Sequence, residues 1–204
     1  MLFDDTYKTI ERPATGEFRD RGSKFLAFAY PINSDAEVKP ILTRLKAEHP
    51  KANHHCWAMR LTPDRSLFRV NDDGEPSGTA GRPILNVMLS RDVTNILVVV
   101  VRYFGGTLLG VPGLINAYKT AAEDTLKQAN IVSKTINDVY DIAFSYPLMN
   151  EVMKILKEED IGIVSQTSDI SCTITIAVRK TKVNQVIAKL GKLQKVKLTY
   201  KATE

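Results

Sequence analysis

The feature that most restricts the fold of this chain is an unbroken run of aliphatic residues, Ile96 to Val101. Apolar side chains at every position, rather than at every second position, indicate a strand that is covered on both faces. We therefore predict a buried strand over Thr94–Val101. The run is far too short to cross a bilayer as a helix, so it belongs to the core of a globular domain.

A glycine-rich turn follows this strand and precedes a long helical pattern. Three residues with larger side chains come first: Arg102, Tyr103 and Phe104. Four glycines then fall within nine residues: Gly105, Gly106, Gly110 and Gly113. The stretch contains neither a Walker phosphate loop nor the dinucleotide-binding glycine pattern.

Two interpretations of this turn stay open. In the first, unpaired N–H groups at the helix start and the Arg102 guanidinium bind a phosphate, while the two aromatic rings stack on a base. In the second, the glycines only allow the strand and the helix to pack closely, and the aromatic rings fill the core. Because four glycines leave several backbone donors uncovered beside Arg102, we predict that the turn is a ligand-facing surface as well as a strand–helix connection. We therefore expect Arg102→Ala to weaken anion or RNA binding and to leave the fold largely intact.

A second irregular stretch, NDDGEPSGTAGRP, covers Asn71 to Pro83. Its glycines and prolines predict a shaped surface loop over Asn71–Arg82. Its three carboxylates are candidate ligand-binding groups: Asp72, Asp73 and Glu75. Their spacing does not fit an EF-hand, so we expect no dedicated metal site and no cofactor. Since the two glycine-rich loops bracket the same helix and central strand, we predict that Asn71–Arg82 and Arg102–Gly113 line one shared cleft.

The sequence His54-His55-Cys56-Trp57 lies in a predicted strand. Neighbouring strand residues point to opposite faces, so His55 and Cys56 do not readily serve one site. The remaining histidine and cysteine, His49 and Cys172, do not complete a zinc set at this strand. We expect His54 or His55 to face the cleft. The N-terminus has no secretory signal, so a cytoplasmic protein with reduced, unpaired Cys56 and Cys172 is expected.

The apolar patterns divide the chain into two α+β domains, residues 1–132 and 134–204. In the first domain, strands are predicted at Tyr7–Arg12, Phe25–Pro31, His54–Leu61, Leu67–Val70 and Thr94–Val101, and helices at Asp35–His49, at Pro83–Leu89 and after the glycine turn. In the second domain, we predict strands through Phe144, over Ile161–Gln166, from Ile170 and over Lys192–Tyr200. We predict helices over Leu148–Glu159 and Val183–Leu190, and a turn at Thr167–Asp169. This β-α-β-β-α-β order is typical of a ferredoxin-like (split βαβ) domain.

The basic residues are concentrated near the C-terminus. The net charge is +5, and residues 179–203 contain eight basic side chains and no acidic one. Such a segment is either a solvated lysine-rich surface or a contact for nucleic acid. Four of its lysines are candidate nucleic-acid-binding residues: Lys189, Lys192, Lys195 and Lys197.

Several motifs of the chain closely resemble those of the IMPACT/YigZ family. They are RGSKFLAFAYPI near the start, ANHHCWAMRL in the middle, DDGEPSGTAG in the acidic loop, and VVRYFGG and GLINAY around the glycine turn. The resemblance extends over essentially the whole chain, and the joint occurrence of DDGEPSGTAG and VVRYFGG is very specific.

The resemblance implies a fold for each domain and a link to translation. The N-terminal domain is expected to be similar to domain 2 of ribosomal protein S5, and the C-terminal domain to a ferredoxin-like domain of translation elongation factor G. Eukaryotic members of the family regulate translation under amino-acid stress. The family has no established catalytic residues, so none are transferred here. Two residues depart from the family pattern: Pro112, where a glycine is expected, and Asn116, where relatives often have a basic residue. Pro112 suits the first turn of a helix, whereas the missing basic residue at Asn116 weakens the case for strong phosphate binding at the helix start.

Three functional hypotheses follow. The leading one is a non-enzymatic protein linked to translation that binds RNA, the ribosome or a ribosome-associated protein, without membrane association and with its oligomeric state open. The alternative is an enzyme that acts on a phosphorylated or nucleotide ligand at the glycine turn. The third is a regulator that binds only proteins, through its loops.

Overall fold

The computed structural model describes residues 5–168 and 172–204, which form two compact units. The N-terminal unit comprises residues 7–134, and the C-terminal unit comprises residues 135–204 together with residues 5–6. Both contain helices and antiparallel strands, which confirms the mixed helix-and-sheet class. The predicted turn at Asp169 and the predicted strand start at Ile170 lie outside the described residues. No helix within the described residues combines the length and apolar character needed to span a membrane.

The N-terminal unit is built on a five-stranded antiparallel sheet. Its strands are β2 (Ala14–Asp20), β3 (Ser23–Pro31), β4 (His54–Leu61), β5 (Leu67–Asn71) and β6 (Ile96–Tyr103). They lie in the order β2-β3-β6-β4-β5, so β6 is central and β2 and β5 are the edges. A separate two-stranded sheet pairs β1 (Thr6–Ile10) with β7 (Ile131–Thr135).

Helices cover both faces of this sheet. They are α1 (Val38–Glu48), α2 (Gly81–Ser90) and α3 (Gly110–Gln128). On one face, Val99 and Val101 of β6 share a core with Leu45 of α1. On the other face, Val98 and Val100 share a core with residues of α2 and α3. The prediction of a strand buried on both faces is therefore confirmed.

Strand β2 was not predicted from the sequence. Its residues, ATGEFRD, contain one large apolar side chain, Phe18, so the alternating apolar pattern of a strand is weak. A tertiary contact holds β2 in place: a Cβ on Gly16 would lie 2.5 Å from the backbone nitrogen of Thr125 in α3. The glycine is needed because the helix backbone approaches the strand so closely.

The C-terminal unit follows the predicted β-α-β-β-α-β order. Its elements are β8 (Asn137–Phe144), α4 (Met149–Glu158), β9 (Gly162–Ser168), β10 (Cys172–Arg179), α5 (Val183–Leu190) and β11 (Lys197–Thr203). The sheet order is β11-β8-β10-β9, with antiparallel neighbours. Buried residues such as Ile142 and Ile174 of the sheet pack with Val152 of α4 and Val186 of α5.

Asp5 belongs to the C-terminal unit, although the sequence analysis placed it in the first domain. Its carboxylate accepts hydrogen bonds from Nε and Nη2 of Arg179 at 2.7 and 2.8 Å, and from Oγ1 of Thr181 at 2.6 Å. These bonds lower the pKa of the Asp5 carboxyl, the hydrogen bond from Arg179 having the largest effect. The first strand alone gave no sign of this contact, because its partners lie about 175 residues further along the chain.

We expect Asp5→Asn to destabilise the C-terminal unit by about 1–2 kcal/mol, a modest value because the Arg179 side chain is 47% exposed and partly screened. The folded-state pKa of Asp5 is depressed, so its stabilisation is present at neutral pH and is lost as the pH falls below about 4 towards that lower pKa. Hydrogen exchange of the β8 and β10 amides measures the effect. Asp160→Asn, at an exposed position of the same unit, is the control, and equal exchange in the two variants would contradict the assignment.

Candidate functional site

A buried ion pair joins the acidic loop to the end of the central strand. Nη1 of Arg102 donates to Oε1 of Glu75 at 2.7 Å, and the two side chains are 6% and 4% exposed. The hydroxyl of Tyr118, in α3, donates to the same oxygen at 2.7 Å. Glu75 therefore ties the loop to both β6 and α3. The two glycine-rich loops meet at this contact, and a cleft shared by their whole lengths stays a prediction.

Two aromatic rings flank the buried guanidinium group of Arg102. The guanidinium carbon lies 5.4 Å from the ring centre of Phe25 and 5.6 Å from that of Phe104. Its Nη2 lies 3.5 Å from Oγ of Ser23, while its Nε is buried and has no hydrogen-bond partner among the described residues. The neighbouring strands are antiparallel, so the rule that ligands bind at the carboxyl ends of parallel strands does not apply here. Arg102 is therefore buried, and its charge is paired with that of Glu75.

The thiol of Cys56 lies in the same buried cluster. Its sulfur is 3.0 Å from the carbonyl oxygen of Asp72 and 3.3 Å from the hydroxyl oxygen of Tyr118. Burial strongly raises the pKa of the Cys56 thiol and also that of the Tyr118 hydroxyl. Both groups therefore stay protonated at neutral pH, and Cys56 lacks the thiolate character that a nucleophile requires.

The three carboxylates of the acidic loop point to different partners. Asp72 accepts hydrogen bonds from the backbone nitrogens of Gly78, Ala80 and Gly81 at 2.8–3.0 Å, and so caps the start of α2. Asp73 accepts one from the backbone nitrogen of His55 at 2.7 Å. Over residues 5–168 and 172–204, no group of three or more histidine, cysteine, aspartate or glutamate side chains is placed to hold a metal ion. The acidic residues thus shape the loop itself.

The two adjacent histidines have different surroundings. Nδ1 of His54 lies 2.8 Å from the carbonyl oxygen of Asp73. Because a carbonyl only accepts, this nitrogen carries the proton, and Nε2 lies 3.9 Å from Oε1 of Glu75. His55 is buried, and its burial lowers the pKa of the imidazole. Of the two histidines, only His54 lies beside the Arg102–Glu75 pair.

Close packing explains part of the glycine turn. A Cβ on Gly105 would lie 1.9 Å from the carbonyl carbon of Gly22, in the turn between β2 and β3. The backbone nitrogen of Gly105 donates to Oγ of Ser23 at 3.1 Å, and that of Phe104 donates to Oδ1 of Asn53 at 2.9 Å. Side chains therefore satisfy the backbone donors of Phe104 and Gly105, which precede the helix start.

The remaining glycines serve the backbone and the helix. Gly106 and Gly110 have φ angles of +86° and +69°, which residues with a Cβ rarely adopt. A Cβ on Gly113 would lie 2.9 Å from Cβ of Leu109. The side chains around this part of the chain that are exposed to solvent include four apolar ones: Phe104, Leu108, Val111 and Ile115. Tyr103 is half-buried, and its hydroxyl lies 2.8 Å from Nδ1 of His49.

The four candidate lysines lie in the C-terminal unit. Lys189 forms an ion pair with Glu159. Lys192, Lys195 and Lys197 are exposed, and none of them forms an ion pair with any described residue. These three side chains therefore carry positive charge that no carboxylate in residues 5–168 and 172–204 compensates by an ion pair.

We expect Arg102→Ala to destabilise the N-terminal unit by about 3–5 kcal/mol, because it leaves the buried Glu75 carboxylate without its cation. This replaces the expectation from the sequence that the variant folds normally. Urea denaturation followed by the fluorescence of Trp57, the single tryptophan, measures the change. Arg91→Ala, at an exposed position of the same unit, is the control, and equal midpoints for both variants would show that the pair does not hold the loop.

Both cysteines are free and buried. We expect Cys56 and Cys172 to react with a thiol reagent only after unfolding. For Cys56, the raised pKa also predicts no gain in reactivity between pH 7 and about 9, where an exposed thiol ionises. Mass spectrometry after timed alkylation measures both rates, and fast labelling of native Cys56 would contradict the buried site.

Comparison with known proteins identifies relatives of this chain. Residues 21–126, just over half of the chain, match the Impact N-terminal domain. The chain is 31% identical to the IMPACT family member YigZ of Escherichia coli over 94% of this chain and 95% of that protein. It is 34% identical to an IMPACT family member of Haemophilus influenzae over 71% of each. A solved structure titled as the crystal structure of a hypothetical protein superposes with a TM-score of 0.73 at 29% identity, covering 98% of this chain and 99% of the other.

These matches include the acidic loop and the glycine turn that the Arg102–Glu75 pair connects, since both lie within residues 21–126. The long alignment to YigZ extends the relation to nearly the whole chain. The chain therefore belongs to the IMPACT family.

Proposed function

We propose that this protein is a non-enzymatic, cytoplasmic regulator linked to translation, and that it binds RNA, free or within the ribosome, through its C-terminal unit. The observation that carries the proposal is the set of exposed lysines without ion-pair partners among the described residues: Lys192, Lys195 and Lys197. The β-α-β-β-α-β order with its antiparallel sheet supports a ferredoxin-like domain like that of elongation factor G. An N-terminal unit like domain 2 of ribosomal protein S5 is part of the same proposal.

The three lysines lie within six residues of one another in the sequence. Lys192 and Lys195 lie in the connection between α5 and β11, and Lys197 begins β11. Each lysine that neutralises a phosphate releases a condensed counterion, which makes the affinity fall as the salt concentration rises. The contrast with Arg102 supports this location of the contact, since Arg102 is already ion-paired with Glu75. The C-terminal lysines therefore replace the glycine turn as the proposed RNA contact.

The enzymatic alternative has less support from the geometry. A phosphorylated ligand at the glycine turn would need a cation, and the Arg102 charge there is buried and paired. A covalent mechanism would need an activated nucleophile, and Cys56 is held as a thiol. The exposed apolar residues of the turn favour the third hypothesis, a docking surface for protein, more than they favour an active site.

We expect a short single-stranded RNA to bind with an affinity that decreases steeply with salt. Replacing Lys192, Lys195 and Lys197 together by glutamine removes up to three phosphate contacts, so the slope of log affinity against log salt falls by about 2. Fluorescence anisotropy with labelled oligouridylate over a salt series measures the slope.

The matched control removes three exposed lysines from the N-terminal unit: Lys39, Lys51 and Lys127. This variant loses the same net charge, so it separates a local contact from a general charge effect. An equal decrease of the salt-dependence slope in both variants would show that net charge, and not a contact at these three C-terminal lysines, causes the effect. No binding at low salt by the native protein would overturn the proposal in favour of protein docking.

A further inference from the structure

We propose that the edge strand β5 of the N-terminal unit binds an extended segment of a partner protein, with apolar and acidic residues in alternation. This site is separate from the proposed RNA contact, which lies in the C-terminal unit, and neither proposal depends on the other. The inference rests on an open sheet edge, on the apolar residues along it and on the position of Arg69.

Strand β5 has a neighbour on one side only. It pairs with β4 in an unbroken register from Trp57↔Asn71 to Leu61↔Leu67, and it ends the sheet. In an antiparallel sheet, alternate residues of an edge strand direct their N–H and C=O groups outward. All five residues of β5 are exposed, so these outward groups are open to a further strand.

The other edges of the two sheets are protected, and β5 is not. On β2, the backbone nitrogen of Glu17 donates to Oδ2 of Asp124 at 3.0 Å, and α3 packs closely against Gly16. On β9, a register shift interrupts the pairing with β10 between Thr175 and Ile176, and on β11 a shift interrupts the pairing with β8 between Tyr200 and Ala202. Such irregularities discourage edge pairing, and the exposed apolar residues of β9, Ile163 and Val164, lie beside one of them. Strand β5 pairs without a register shift and exposes three apolar residues: Leu67 at 38%, Phe68 at 49% and Val70 at 40%. An unprotected apolar edge is the typical template for strand addition.

The two faces of β5 differ in chemistry. Phe68 and Val70 are opposite Arg60 and Ala58, on the face that α2 and α3 cover. Arg69 is on the other face, where its 58% exposed side chain forms an ion pair with Asp35 at 2.7 Å. Both side chains of this pair are more than 40% exposed, so solvent screens it and an added carboxylate can compete with Asp35 for the guanidinium. Side chains of an added strand alternate between the same two faces. The complementary segment therefore places apolar residues beside Phe68 and Val70 and an acidic residue beside Arg69.

A second copy of this chain fits the edge less well. If two β5 strands paired antiparallel over their full length, the central residue, Arg69, would lie opposite the same residue of the other copy. Like charges directly opposite one another destabilise a strand pair. The charge at Arg69 thus selects an acidic partner segment over self-association.

The probe is a capped heptapeptide of alternating valine and glutamate, titrated against the full chain. Trp57 pairs with Asn71 and reports binding by its fluorescence, and hydrogen exchange shows whether alternate amides of β5 become protected. We expect Arg69→Glu to weaken binding of this peptide by roughly five- to tenfold and to favour a valine–lysine peptide by a similar factor. A valine–glutamate peptide with N-methylated backbone nitrogens should not bind.

The matched control is Arg19→Glu, an equally exposed arginine on the opposite edge strand β2. It changes the net charge by the same amount and should leave both peptides' affinities unchanged. Three results would overturn the proposal: equal effects of the two variants, binding of the N-methylated peptide, or a dimer in sedimentation that Arg69→Glu dissociates.

Discussion

The buried pairing of Arg102 with Glu75 is the interaction on which the N-terminal unit depends most. Removing two opposite charges from water is costly, and their attraction offsets that cost only when good geometry and further hydrogen bonds accompany it. Here Tyr118 adds a second hydrogen bond to Glu75, and the rings of Phe25 and Phe104 flank the guanidinium. Strand β6, helix α3 and the acidic loop must all be in place for the pair to be satisfied, so the pair couples their folding.

The pair belongs to a buried cluster of polar side chains in the N-terminal unit. Residues that a catalytic site would use, a cysteine, a tyrosine, a glutamate and an arginine, contact one another through the Glu75 and Tyr118 side chains. Near the glycine turn, the unit exposes apolar side chains to solvent, and its edge strand β5 is paired on one side only. The polar side chains of this cluster are thus buried and paired, whereas Lys192, Lys195 and Lys197 of the C-terminal unit are exposed.

Sequence patterns identified those elements whose side chains carry a clear periodicity. The run Ile96–Val101 and the alternation in β10 both predicted strands, because burial on two faces or on one leaves a direct trace in residue order. Strand β2 left no such trace, since a close contact with α3 holds it and not a row of apolar residues. The strand predicted from Lys192 begins instead at Lys197, because local turns continue through Leu193 after α5.

Sequence patterns alone do not predict the direction in which the side chains of the site residues point. Arg102 follows a buried strand and precedes a glycine turn, a position equally compatible with binding a ligand and with pairing inside the protein. Its partner lies 27 residues earlier, in a loop without periodicity, so no local pattern indicates the contact. The exposure of Lys192, Lys195 and Lys197 was easier to predict, since lysines without acidic neighbours in sequence usually remain in solvent.

The contact also gives a physical reason why two motifs occur together in this chain. DDGEPSGTAG contains Glu75 and VVRYFGG contains Arg102, so the two motifs are the two sides of one buried ion pair. Within the first motif, Asp72 caps α2 and Asp73 binds the backbone of His55, which fixes the loop that delivers Glu75. Within the second, Gly105 packs on Gly22 and lets the chain turn directly after Arg102. The acids and glycines that the sequence offers as a candidate ligand site therefore also position the buried ion pair of the N-terminal unit.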